Sequence, residues 1–334
     1  MDPAVVMFEV EENYAGWTLA AYVGEKIPRL LPHQIDKMLR GKSLVPPDGV
    51  ALAPETPIWA GLRFGLRKRA IGDDREPGPL PVIYQDEALL VVDKPPGLAL
   101  HPSARYHLST LTRALELHHR DAGGVKPDPA HRLDRDTSGL VACGKNPLFT
   151  GRLKRAFAAR QVEKRYLALV EGAPERDAFE IDLPLKVGGE RVKVKAIVAD
   201  DGLPSSTLVE VIARHRDAEK KPLSLLRCTP RTGRQHQLRA HLAAAGFPLV
   251  GDKLYGPDEN IFLRLVESGQ GPAPAGQWDG LIDEAERRAL RMPRHALHAE
   301  MLELPHPASG ERMRFTSPLP PDLAALIASL ETPT

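Results

Sequence analysis

The sequence predicts an α+β protein: a largely antiparallel, mixed sheet with packed helices, preceded by a small module of helices and strands. Three observations carry that prediction. From residue 82 onward, short apolar runs recur with brief turns between them, as consecutive antiparallel strands do. Interspersed segments place apolar residues three and four apart, as helices packed on one face of a sheet would. A stretch at 70–81, rich in glycine, proline and acidic residues, reads as a linker between residues 8–69 and residues 82–330.

Taken in order, Trp17–Val23 and Pro32–Arg40 read as two short amphipathic helices, the second ended by Gly41. Beyond the linker, Leu89–Val92 reads as a buried strand, Ser109–Arg120 as a helix and Leu140–Cys143 as a strand. Pro147–Ala159 is helical, with proline in its first turn. Strands are expected at Tyr166–Glu171, Phe179–Leu183, Val192–Val198, Thr207–Arg214 and Ser224–Thr229. Arg234–Ala245 is expected as a helix closed by Gly246. Residues 257–292 read as an acidic insertion, with Gly269–Gly276 as a flexible hinge and a helix near Ile282–Leu290.

A chain of 334 residues is long enough for two domains and a real hydrophobic core. Its two cysteines, Cys143 and Cys228, lie in apolar strand contexts far apart, so neither a disulfide framework nor a thiolate metal site is expected. No signal peptide and no apolar run of roughly 20 residues is visible. The expectation is a soluble, cytoplasmic, monomeric protein with no membrane partner. Net charge is only +1, but its distribution is uneven. Residues 15–69 carry nine Lys/Arg against four acids, 145–170 seven against one, and 212–241 eight against two. The balancing acids gather at 257–290, seven against three bases. Concentrated basic faces suit phosphate, because acids beyond a Debye length of roughly 8 Å hardly matter.

The most informative run is His131-Arg132-Leu133-Asp134-Arg135-Asp136-Thr137-Ser138-Gly139-Leu140. Neighbouring guanidinium groups keep a carboxylate ionised, as covalent or base chemistry on a polyanion requires. Alone, an aspartate between arginines reads more readily as a surface ion-pair cluster. The whole run, however, resembles the catalytic motif of the RluA-type family of RNA pseudouridine synthases. The similarity continues through Leu90–Gly97 and His101-Pro102, Lys164-Arg165-Tyr166-Leu167-Ala168, Thr232–Leu242, Gly251-Asp252-Lys253-Leu254-Tyr255-Gly256, Ala296–Ala299 and His306-Pro307. Residues 8–69 look like a weakened form of the RNA-binding module that precedes the catalytic domain in some members. Arg29, Lys37, Arg40 and Lys42 would then be its phosphate contacts.

This resemblance implies an isomerase that needs neither cofactor nor metal and acts on structured RNA, ribosomal RNA first and transfer RNA second. It makes Asp134 the catalytic carboxylate, attacking the sugar directly or removing a neighbouring ribose proton to give a glycal; the residues leave both routes open. Tyr166 would stack on the target base and Arg234 would be the ion-pair partner of Asp134, since a guanidinium offers a carboxylate two parallel hydrogen bonds. Leu238 would pack on the flipped uracil. His131 and Arg132 would fill the gap the base leaves, with Arg135 and Arg239 meeting backbone phosphate or scaffold. Lys154 and Arg155 are further backbone candidates in the basic stretch.

Three rivals are weaker. A kinase loop would read His-Arg-Asp, with companion motifs absent here. No His/Asp spacing suits a metal-dependent nuclease. A catalytically silent RNA-binding or ribosome-assembly protein with the same fold would be expected to lack Asp134, Tyr166 or Arg234, and all three are present.

Overall fold

The computed structural model describes residues 5–331 apart from 28–29, 31, 42, 68–75, 103–107, 121–122 and 269–276. It divides into two compact units, Met1–Ile71 and Gly72–Thr334. The first unit contains β1 (Val5–Glu9), α1 (Leu19–Lys26), α2 (Pro32–Arg40), β2 (Leu44–Val45) and β3 (Arg63–Arg67), with β3 central in an antiparallel three-stranded sheet. α1 begins at Leu19 because Thr18, in extended backbone, caps it by accepting from the Ala21 N–H at 3.2 Å. Apolar positions four apart on each helix (Leu19 and Val23, Ile35 and Leu39) meet Phe64 and Leu66 of β3 in one buried cluster.

The second unit contains β4 (Val82–Gln85), β5 (Leu89–Lys94), α3 (Leu111–His118), β6 (Asp128–Pro129), β7 (Ser138–Gly144), α4 (Pro147–Ala158), β8 (Glu163–Glu171) and β9 (Ala178–Asp182). It continues with β10 (Leu185–Val187), β11 (Ala196–Val198), β12 (Ser206–Arg216), β13 (Pro222–Pro230) and α5 (Gln237–Ala244). α6 (Glu259–Glu267), α7 (Glu284–Leu290), β14 (Leu297–Pro305), β15 (Arg312–Thr316) and α8 (Pro321–Ala328) complete it. The main sheet runs β4-β5-β7-β14-β8-β13-β12-β9, with β6 on β7 and β15 on β14. All its pairings are antiparallel except β7 with β14.

Strand periodicity sorts the core. Leu90, Val92, Val141 and Cys143 face Leu111 and Leu115 of α3 and Leu238 and Leu242 of α5. The intervening Leu89, Val91, Leu140 and Ala142 face Leu153 and Ala156 of α4. Covered on both faces, β7 is buried along its whole length and is apolar almost throughout. Gly139, at φ +110°, lies against Ala299 where β7 meets β14, and a Cβ there would collide with the Ala299 carbonyl. The C-terminal segment therefore closes the centre of the sheet beside the start of β7.

The structure departs from the sequence expectation in several places. α5 starts at Gln237 rather than Arg234, because the Gln237 side chain accepts from the Arg234 N–H (3.0 Å) and the Thr232 hydroxyl (2.7 Å), fixing a turn ahead of the helix. Of Val192–Val198 only Ala196–Val198 is strand, paired with β10, which the apolar pattern did not reveal. α6 was not anticipated within the insertion, whereas α7 carries a capping box of Asp283 and Glu286. The expected hinge at 269–276 and linker residues 70–71 and 72–75 fall partly or wholly outside the described residues, Ile71 among them. Residues 76–81 are no free linker: Leu80 is buried in the core, its N–H bonds His119, and Glu76 pairs with Arg113.

Candidate active site

Asp134 lies in the loop between β6 and β7, and the fold fixes that loop from below. Lys94, wholly buried at the end of β5, donates to the carbonyls of Pro95, Leu98 and Arg135 at 2.9–3.0 Å. Burial lowers its ammonium to about 7. On the other side, the Thr137 hydroxyl bonds Nε2 of His295 at 2.8 Å. Burial takes His295 down to about 4, so this ring is neutral.

Asp134 Oδ2 accepts from Arg239 Nη1 at 3.2 Å. Arg239, in the first turns of α5, is itself held by Asp252 through two parallel bonds, Nε to Oδ2 at 2.7 Å and Nη2 to Oδ1 at 2.9 Å. Asp252 is fully buried and also accepts the N–H groups of Leu254 and Tyr255. Its turn begins at Gly251, φ +74°, where a Cβ would strike the Arg294 carbonyl. The result is a buried line, Asp252–Arg239–Asp134, carrying one positive charge between two carboxylates. Burial alone would push the Asp134 carboxyl up; the Arg239 guanidinium outweighs it and holds the group below the usual carboxylate range. Oδ1 of Asp134 makes no hydrogen bond among the described residues, leaving one ionised oxygen available for chemistry.

Around that oxygen the walls differ. His236 places Nε2 4.0 Å from Oδ1. Leu133, the residue before Asp134, belongs to one buried cluster with Leu98, Leu100, Tyr166 and Leu238. Tyr166, in β8, is nearly buried; burial, then the charge of Asp134, raises its phenol, so the ring presents a neutral O–H.

A family model described as RNA pseudouridylate synthase matches residues 88–244, which span this loop, Tyr166 and α5. The chain is 37% identical over 336 residues to the ribosomal large subunit pseudouridine synthase D of Xanthomonas campestris, covering 99% of this chain and 94% of that one. The protein of the same name from Nitrosomonas europaea is 32% identical over 330 residues, 96% of this chain and 86% of that one. The chain belongs to the RluA-type family of RNA pseudouridine synthases. It is an isomerase that converts uridine to pseudouridine in RNA. Among solved structures, human RNA pseudouridylate synthase domain containing 1 superposes with a TM-score of 0.56 at 28% identity, covering 78% of this chain and 92% of that one.

Within this pseudouridine synthase, the residues expected from sequence separate into two groups. Asp134, Tyr166, Leu238 and Arg239 converge on the β6–β7 loop. Arg234 does not: it is exposed in the turn before α5, and the ion pair with Asp134 belongs to Arg239. The reason is where the helix starts, which turns residue 239 inward and leaves 234 outside. His131 is also a correction. Its Nε2 accepts the Ala142 N–H at 3.0 Å and its ring stacks on Phe157, so it ties the loop to β7 and α4. Burial drives it down to about 3. Arg135 pairs with Asp136, whereas Arg132 is exposed and has no ion pair among the described residues.

The remoter candidates fare unevenly. Lys154 pairs with Asp128, and Arg155 is exposed, both on α4 across the sheet from α5. In the first unit Lys37 is exposed, Arg40 is paired with Asp36 and Glu55, and Arg29 and Lys42 lie outside the described residues. The Gly251–Gly256 motif is visible in the sequence, but nothing local in the sequence gives a role to Asp252, Tyr255, His236, Lys94 or His295. An aspartate followed two and three residues on by backbone donors was the available signal. Among the described residues no cluster could hold a metal ion, and no helix is long and apolar enough to cross a membrane.

Proposed function

We propose that Asp134 is the carboxylate that acts at the anomeric carbon of an unstacked uridine, in large-subunit ribosomal RNA first and transfer RNA second. In the reaction the C1′–N1 bond breaks and a C1′–C5 bond forms, while C5 loses a proton and N1 gains one. Nothing is oxidised and no group leaves, so the balance calls for no cofactor. What it calls for is an ionised carboxylate aimed at the sugar. The observation that carries this reading is the half-occupied Asp134: Arg239 takes Oδ2, and Oδ1 is left without a hydrogen bond among the described residues. The carboxylate is thus oriented and charged without being neutralised by its partner, whose other two bonds go to Asp252.

The other residues take roles around this oxygen. Tyr166 stacks on the base and, as a neutral phenol, assists the proton exchange at C5. Leu238 and Leu133 supply the apolar face against which the free uracil turns. Arg132, exposed and without an ion pair among the described residues, enters the gap left by the flipped nucleotide and contacts phosphate. The ribosomal preference rests on the relatives named for the large ribosomal subunit.

The test is a pseudouridine map of total RNA from cells with the gene, without it, and with Asp134→Asn in its place. The expected result is one or more sites in large-subunit ribosomal RNA, absent in both altered strains, with the purified variant still binding the RNA. Full modification by Asp134→Asn would remove this residue from the mechanism.

A further inference from the structure

A further polar side chain, His236, lies beside the free oxygen of Asp134. Tyr255 gives its O–H to the Ala196 carbonyl at 3.0 Å and receives the Ala196 N–H at 2.8 Å. All three contacts are satisfied together only when that oxygen accepts from His236 Nδ1, 3.1 Å away. A neutral imidazole has a single N–H. In that arrangement His236 carries its proton on Nδ1, and Nε2 presents a lone pair toward the active-site loop. Burial holds the ring well below its ordinary range, at about 4, so it is neutral at pH 7.

Nε2 has no hydrogen bond among the described residues; its neighbour is Asp134 Oδ1, 4.0 Å away. With the proton on Nδ1, two acceptors face one space without a donor between them. The ring is held there deliberately by the backbone. His236 adopts φ +52°, a left-handed conformation few non-glycine residues take, at the point where its carbonyl starts α5 by accepting from Ala240. The edge-on contact with Tyr255, at 89° between rings, fixes the orientation.

We infer that His236 Nε2 accepts a hydrogen bond from the 2′-hydroxyl of the target nucleotide, so that this side chain selects ribose over deoxyribose at the reacting position. This inference rests on the assignment of Asp134 to the anomeric carbon. A sugar whose C1′ faces Oδ1 carries its 2′-hydroxyl on the adjacent carbon, and that hydroxyl is the donor both acceptors lack. The 2′-hydroxyl is also the group by which a protein distinguishes RNA from DNA at a single site.

The experiment uses a synthetic RNA hairpin centred on the mapped uridine and its twin with 2′-deoxyuridine at that one position. Single-turnover rates are measured for the full-length wild type, His236→Ala and His236→Gln. The hydroxyl's intrinsic effect on C1′ reactivity is common to all three proteins and cancels when their ribo/deoxy ratios are compared. The expected result is a ratio that falls about tenfold in His236→Ala, the size of one hydrogen bond, and less in His236→Gln, which still offers an acceptor. If the alanine variant does not fold, His236→Phe keeps the ring packing on Tyr255 without an acceptor and carries the same comparison. An unchanged ratio, with both substrates slowed equally, would reduce His236 to a support for Tyr255 and overturn the inference. Full turnover of the ribose hairpin by Asp134→Asn would instead remove the Asp134 assignment, and this inference with it.

Discussion

Arginines on two of the short helices, α2 and α5, separate decoration from machinery. On α2, Arg40 reaches Asp36 and Glu55 while all three side chains stay more than half exposed. On α5, Arg239 reaches Asp134 and Asp252 with about a tenth of its side chain exposed. Residue types and bond lengths are nearly the same. In water such pairs gain little, because solvent screens the charge and ordering the side chains costs entropy. Under protein the same contact fixes the ionisation and aim of its partner, and losing one member leaves a charge with nowhere to go.

The sharpest way to break this comparison is Arg239→Ala. It leaves Asp252 and Asp134 facing each other without a cation, and should cost about 3–5 kcal/mol of stability by urea unfolding and at least a hundredfold in turnover. Arg234→Ala, five residues away and exposed, should keep turnover within about threefold. Reversal of that order would return the ion pair to Arg234.

Acid should expose the same pair. Asp252 and Asp134 have depressed carboxyls in the folded protein, so their contribution is present above the unfolded value of about 3.9 and is lost as pH falls through the folded values. Asp252→Asn should therefore be less stable at pH 7 and show a flatter loss of stability below about pH 4 than wild type. Parallel curves would mean that Asp252 is not the charge that holds Arg239.

Lys94 gives the same sign in a higher pH window. Its folded value of about 7 lies below that of an unfolded lysine, so the native state binds fewer protons between about pH 7 and 10. Stability should rise through that window, by about 2 kcal/mol from pH 7 to 9. Lys94→Met, measured by urea unfolding at both pH values, should lose that increment while being weaker at each, since three carbonyls lose their donor. The smallest effect belongs to the exposed pair: Arg40→Ala should leave the melting temperature unchanged and alter RNA affinity by less than about twofold.

Much of this was legible in the residues. The α+β class followed from short apolar runs between turns, and β7 was visible as Leu140–Cys143 because a strand buried on both faces has no polar alternation to hide it. Asp134 and Tyr166 could be picked from their motifs. His131 could not be separated from Arg132 in the same way: two adjacent polar residues in a loop look alike until Phe157 and the Ala142 N–H claim one of them.

What the amino-acid order determined by itself was local: which segments alternate, which carry caps, and which loop holds an aspartate among arginines. Only the tertiary structure decided which arginine serves that aspartate, which histidine is tied to the Ala142 N–H and which one stands beside the aspartate. The reason is that each choice depends on removal from water by segments far apart in the chain. Asp134 and Arg239 lie 105 residues apart and Tyr255 and Ala196 lie 59 apart, and no local pattern records that they meet.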